Sequence, residues 1–179
     1  MKRALTLTVC AGIAGCSPPA PEPSPPPVAA PTPTPTPAPP PPVVSQPVYD
    51  DWMDAPQTPG DWSIMADSTG TMARFGEPGR EPRFALRCNP AGRTVSILRA
   101  GSAAGDVPMR IRTETLDRML TAQQVGDQLP ALRTDLPARD RLLPAMALSK
   151  GRFAVETQGL ETLYVPAWPE MTRVIEDCL

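Results

Sequence analysis

The chain of 179 residues contains no histidine at all. That absence excludes Ser-His-Asp and Cys-His catalysis, imidazole metal sites and histidine general bases. A basic excess is missing too. From position 48 onward the side chains number eighteen acids against fifteen bases, a net charge near −3 that speaks against nucleic-acid binding. Lysine is scarce: the bases of that region are fourteen Arg and Lys150 alone, which reads as base-composition habit rather than a guanidinium-dependent function. Three Trp and two Tyr, widely dispersed, are too few for a sugar-stacking platform. No stretch approaches the ~20 apolar residues needed to cross a bilayer as a helix. There is no CxxC, no GxSxG and no phosphate-cradling glycine loop, Gly76-Glu77-Pro78-Gly79 being too short and broken by proline. Ser149 and Lys150 are neighbours, whereas penicillin-binding chemistry needs Ser-x-x-Lys. No metal or cofactor is expected. Carboxylate pairing of the glycosidase type depends on spatial proximity and stays open at this level.

What is present begins with Met1-Lys2-Arg3 and the apolar stretch Ala4 to Ala14, eleven residues. A charged n-region followed by a short h-region is the anatomy of a secretory signal, and residues 1–15 are set apart from the fold. From Ser17 to Pro47, sixteen of thirty-one residues are proline. Proline fixes φ and lacks an N–H, so neither helix nor sheet is expected there. The composition favours polyproline II, at ~3.1 Å per residue a spacer of roughly 95 Å if straight. Residues 48–179 are then one domain, large enough to bury about two-thirds of its unfolded surface.

Within that domain the pattern is mostly that of strands. Tyr49 to Asp54 is an acidic loop lacking Asp-x-Asp-x-Asp-Gly spacing, with Trp52 packing down. Trp62 to Met65 and Thr71 to Phe75 read as short strands. Arg83 to Cys88 alternates, Asn89-Pro90-Ala91-Gly92-Arg93 carries turn chemistry, and Thr94 to Arg99 returns, a hairpin. Val107 to Thr113 alternates again. Glu114 to Val125 reads as strand and turn against a competing helix pattern, and Leu142 to Leu148 as a short helical turn. Arg152 to Glu156 and Thr162 to Val165 are the last two strands. Pro169 suits a first helical position, and Trp168, Met171, Ile175 and Cys178 fall on one helical face. The expectation is a mainly β (α+β) fold, an antiparallel β-sandwich or open barrel closed by a C-terminal helix.

Of four cysteines, Cys10 lies in the signal segment. Cys88 and Cys178 both point at the core and are read as a structural disulfide, in preference to free thiols or a redox pair. The signal ends Ile13-Ala14-Gly15-Cys16, and this resembles a bacterial lipobox. The resemblance to bacterial lipoproteins implies cleavage before Cys16, diacylglyceryl on its sulfur and acylation of the new amine, an anchor stable because several chains share one residue. Ser17, not an acid, implies delivery to the outer membrane with the domain on its periplasmic side. Phe84-Ala85-Leu86-Arg87-Cys88 resembles the membrane-bound inhibitors of c-type lysozyme, but Ser149-Lys150-Gly151-Arg152-Phe153 lacks that family's loop tyrosine, so no inhibitory residues carry over. The segment Ser149 to Glu156 with the Trp168 to Cys178 tail is similar to uncharacterised alphaproteobacterial envelope proteins. The placement of the two cysteines is similar to an accessory family of type VI secretion. The functional expectation is a tethered, non-enzymatic interaction or structural domain with an envelope protein partner. A ligand-binding or inhibitory lipoprotein stands second, with Ala138 to Phe153 or Arg99 to Val107 as its protruding loop, and an envelope enzyme third.

Overall fold

The computed structural model describes Tyr49 and residues 51–179. The signal segment, Cys16 and the proline-rich stretch through Pro47 lie outside the described residues. A 3-10 turn at Trp52–Asp54 precedes nine strands, β1 (Asp61–Asp67), β2 (Gly70–Gly76), β3 (Phe84–Asn89), β4 (Thr94–Ala100), β5 (Val107–Arg112), β6 (Asp117–Val125), β7 (Ala131–Pro137), β8 (Arg152–Thr157) and β9 (Leu163–Pro166). Helix α1 (Leu142–Ala147) joins β7 to β8, and α2 (Pro169–Glu176) follows β9.

All strands form one antiparallel sheet in the order β1-β2-β3-β4-β7-β6-β5-β8-β9. The sheet folds about β6. Its residues Asp117 to Ala122 pair with β5, whereas Gln123 to Val125 pair with β7. Side chains alternate across a strand, so one face of every strand turns toward a shared core. Phe75, Phe84, Leu86, Ile97, Met109, Ile111, Phe153 and Val165 are fully or almost fully buried there. Phe84 meets Phe153 edge-on at 5.7 Å, tying the two halves of the sheet together.

The sheet stays open. Its edges, β1 and β9, do not pair, but the Trp62 indole N–H donates to the Pro166 carbonyl across the seam at 2.9 Å. The edge of β9 is covered by Thr58, whose N–H donates to the Tyr164 carbonyl and whose hydroxyl accepts from the Tyr164 N–H. Helix α2 packs its apolar stripe, Met171, Val174 and Ile175, onto the inner side near β1, β2 and β3. A disulfide joins Cys88 of β3 to Cys178 just beyond α2, with Cα atoms 5.4 Å apart.

Three features differ from the sequence expectations. The stretch between Val125 and Leu142, to which the sequence pattern assigned no element, holds β7, the strand at the centre of the sheet. Trp168 is 38% exposed rather than buried. It sits before the helix with extended backbone and so falls off the 3.6-residue period of its expected partners. The segment Ala138 to Phe153 does not protrude as a loop: α1 buries Leu142, Leu143 and Met146 beneath the sheet.

Candidate functional site

The inner face is a packed core, and the recesses among the described residues lie on the outer side of the sheet and at its edges. The two halves of that side are built differently. Over β5, β6 and β8 the outward side mixes uncharged residues, the exposed Met119 among them, with charged ones that pair with one another. Arg110 donates from Nε and Nη2 to the two Asp117 oxygens at 2.8 and 2.6 Å, and Arg112 donates from Nη1 to Glu156 at 3.1 Å. The Arg110 hydrogen bond is the main cause that holds the Asp117 carboxyl below its ordinary range, and Asp117 in turn raises Arg110. Trp52 lies under the Arg112 guanidinium, 5.9 Å from its carbon, and the segment carrying it docks against β8.

The outer side of β2, β3, β4 and β7 also carries arginine–carboxylate pairs, but an apolar stretch lies beside them. The register sets Ala85 opposite Leu98 and Ala100 opposite Ala131. Small residues at three of those positions leave a trough, walled by Met72, by Pro82 from the β2–β3 loop, and by Leu129 and Pro130 from the β6–β7 loop. This recess has a volume of about 310 Å³, with Glu81 at its rim as the one charged residue in its lining. Leu129 is 64% exposed at its margin.

Leu98 also borders a second recess of about 260 Å³, lined otherwise by Thr69, Arg87, Asn89, Ser96 and Arg133. Apolar trough and polar recess therefore adjoin, with the Leu98 side chain lining both. Arg87 pairs with Asp67 at 3.2 Å and also donates to the Thr69 hydroxyl. Arg133 donates to both Asp135 oxygens at 2.9 and 2.7 Å, and Ser96 donates to Asp135 at 2.5 Å. Thr69 is the first cause of the lowered Asp67 pKa, its hydroxyl and N–H both donating to the carboxylate. For Asp135, burial works against ionisation, but the bonds from Arg133 and Ser96 outweigh it and the carboxyl also titrates low.

Compared with protein-family models, curated proteins and solved structures, the chain matches none. Its chemistry must therefore be read from its own residues. The carboxylates with a shifted pKa, Asp67, Asp117, Asp135 and Asp140, are all lowered and all bonded to arginine. A general acid needs the opposite shift. Ser96 gives its proton to a carboxylate that is already ionised, a positioning bond rather than an activated nucleophile. Among the described residues no group of three acidic or sulfur ligands is placed to hold a metal ion. The arrangement is suited to holding something against the sheet.

Cys16 lies outside the described residues. Cys88 and Cys178 meet on the inner side, on the opposite face of β3 from the trough, and serve the packing of α2. Sequence reasoning found β2, β3 and β4 but not their outward face as a surface. It missed Arg133, Asp135 and Ala131 altogether because β7 was missed. The available signal was the alternation of Leu132 and Leu136 with Arg133 and Asp135.

Proposed function

We propose that this protein is a lipid-anchored lipoprotein of the cell envelope that acts by binding rather than by catalysis. Cys16 carries the acyl chains, residues 17–47 act as the spacer, and the folded domain presents the outer side of β2, β3, β4 and β7 to an envelope partner. The periplasmic side of the outer membrane is the expected location. The observation that carries the reading is the apolar trough, open on a surface where Arg87 and Arg133 are paired with neighbouring carboxylates. Exposed apolar recesses on soluble domains mark interaction sites.

A photo-crosslinking residue at Leu129 tests this in cells, with the same residue at Met119 on the outward face of β6 as control, in chains with Cys16 intact or Cys16→Ala. The reading expects an adduct from position 129 and not from 119, and expects the intact chain, but not Cys16→Ala, in the membrane fraction. Identical products at both positions, or no product, would sink the binding face; membrane retention of Cys16→Ala would sink the anchor. A second reading, a ligand-binding lipoprotein, is favoured by one observation: the trough and the arginine recess adjoin at Leu98, so a single small molecule lying over that side chain could reach both.

A further inference from the structure

We infer that the two adjoining recesses together bind an aliphatic chain that ends in an anionic head, the chain lying in the trough and over Leu98 and the head between Arg87 and Arg133. This rests on the ligand-binding reading above. The trough, about 310 Å³, is at the small end of the ~300–1,000 Å³ range of ligand sites, which suits one chain rather than a fused ring system. Its lining side chains, with Glu81 excepted, offer no hydrogen bond, so the part of a ligand that fills it carries no polar groups.

The neighbouring recess has the opposite character. Both charged residues that line it are arginines, and Thr69, Asn89 and Ser96 are neutral. Asp67 and Asp135 pair with those arginines without lining the recess. Nor do they use every donor. Arg133 gives Asp135 its Nε and Nη2, and Nη1 remains; Arg87 gives Asp67 and Thr69 its Nη2, and Nε and Nη1 remain. Guanidinium donors in a fixed fork recognise carboxylate and phosphate oxygens. A cationic head would meet guanidinium groups there and no carboxylate in the lining. Glu81, at the rim of the trough, fixes the polarity by repelling an anion from that end.

The test uses the full chain with Cys16→Ser, oxidised, which carries no lipid and needs no detergent. Octanoate, decanoate and laurate are titrated calorimetrically below their micelle concentrations, beside dodecyl phosphate and dodecyltrimethylammonium. Affinity is expected to climb with chain length, by up to about fourfold per buried methylene, and the cationic amphiphile is expected to bind at least tenfold more weakly than laurate. The double variant Arg87→Gln/Arg133→Gln should erase that preference while leaving the length dependence, and Leu98→Asp should abolish binding. Ala131→Gln, which blocks the other wall, repeats the test if Leu98→Asp lowers the unfolding midpoint. Met119→Asp should bind like the unsubstituted chain. Tighter binding of dodecyl phosphate than laurate would identify a phosphate head, and the reverse a carboxylate. Affinity without length dependence, or equal affinity for the cation, would overturn the inference. An adduct at Leu129 with no amphiphile bound would remove the ligand and leave the protein interface standing, whereas absence of both would remove the binding face itself.

Discussion

At position 99 the inward face of β4 carries a guanidinium in a row that otherwise holds Phe84 and Leu132. Arg99 is 6% exposed and donates to the carbonyls of Ala100 at 2.5 Å and Glu161 at 3.1 Å, with no carboxylate in reach. Burial, with Arg83 adding repulsion, lowers its pKa to about 10. The folded value lies below the unfolded one, so the charge destabilises the fold at every pH under about 10, and that penalty is relieved only as pH rises above it. What the residue returns is a cross-tie from β4 to the β8–β9 loop. A side chain that fills the space without charge should keep most of the packing: Arg99→Met is expected to retain ~1–2 kcal/mol more stability than Arg99→Ala in urea unfolding. Equal losses would show that the hydrogen bonds, not the volume, decide. Gly70 makes a second residue-scale case. Its φ of +136° is accessible to glycine, and a Cβ there would collide with the Cys88 carbonyl. Gly70→Ala should cost ~3 kcal/mol or more, whereas Gly79→Ala, at φ +75° with open space around it, should cost ~1 kcal/mol. Matching shifts of the urea midpoint would mean that crowding at Gly70 is not the cause.

Among the elements, α2 depends most on its tie. Eight residues are too few for a helix stable in isolation, and its hold is the stripe Met171, Val174 and Ile175 plus the bridge to Cys88. The disulfide spans a sequence separation of 90, for which loop-closure entropy gives an upper figure of ~4.6 kcal/mol. Cys88→Ala/Cys178→Ala is therefore expected to lose ~3–4 kcal/mol, read as a lowered urea midpoint, with the helical signal melting before the sheet. A loss under ~1 kcal/mol would mean that packing alone docks the helix. This helix and the β3–β4 hairpin were legible in the sequence because each carries its own punctuation: Pro169 at the helix start, and Pro90 and Gly92 between two alternating runs. Strand β7 is bracketed by Pro130 and Pro137 and alternates too, but over a run with few apolar residues. Leu132 and Leu136 are its only large apolar residues, and it is central by virtue of pairing with β4 over seven residue pairs and with the end of β6. Such pairings are decided by tertiary context. The face that holds the trough was illegible for the same reason. A trough made by Ala85, Ala100 and Ala131 consists of what is missing from the surface, and it exists only once three strands are set side by side.

At the scale of the whole molecule, two halves of one sheet spend their outward charges differently, but both do so through arginine–carboxylate pairs and without histidine. Asp67, Asp117, Asp135 and Asp140 are all held below the ordinary carboxylate range in the folded chain by the hydrogen bonds and guanidinium charges around them. With the folded pKa depressed, the unfolded chain takes up protons first on acidification. Each pair thus contributes stability that is complete above the unfolded value and is lost as pH falls through the folded one. No side chain has an ordinary pKa between about 5 and 8, since histidine supplies that range in most proteins. The urea midpoint should hence be flat from about pH 5.5 to 7.5 and fall steeply below about pH 4. Arg110→Gln with Arg133→Gln should lower the plateau slightly and make the acid limb shallower, because Asp117 and Asp135 then titrate closer to their unfolded values. The acidic partners of Arg110 and Arg133 are a third to a half exposed, so the plateau effect stays small. A midpoint that moves between pH 5.5 and 7.5 would contradict the assignment of every shifted carboxylate to the ionised state. An acid limb unchanged in the double variant would mean that the stability lost on acidification resides in Asp67 and Asp140, the one bonded to Thr69 and Arg87 and the other holding the start of α1 through Leu142 and Arg118.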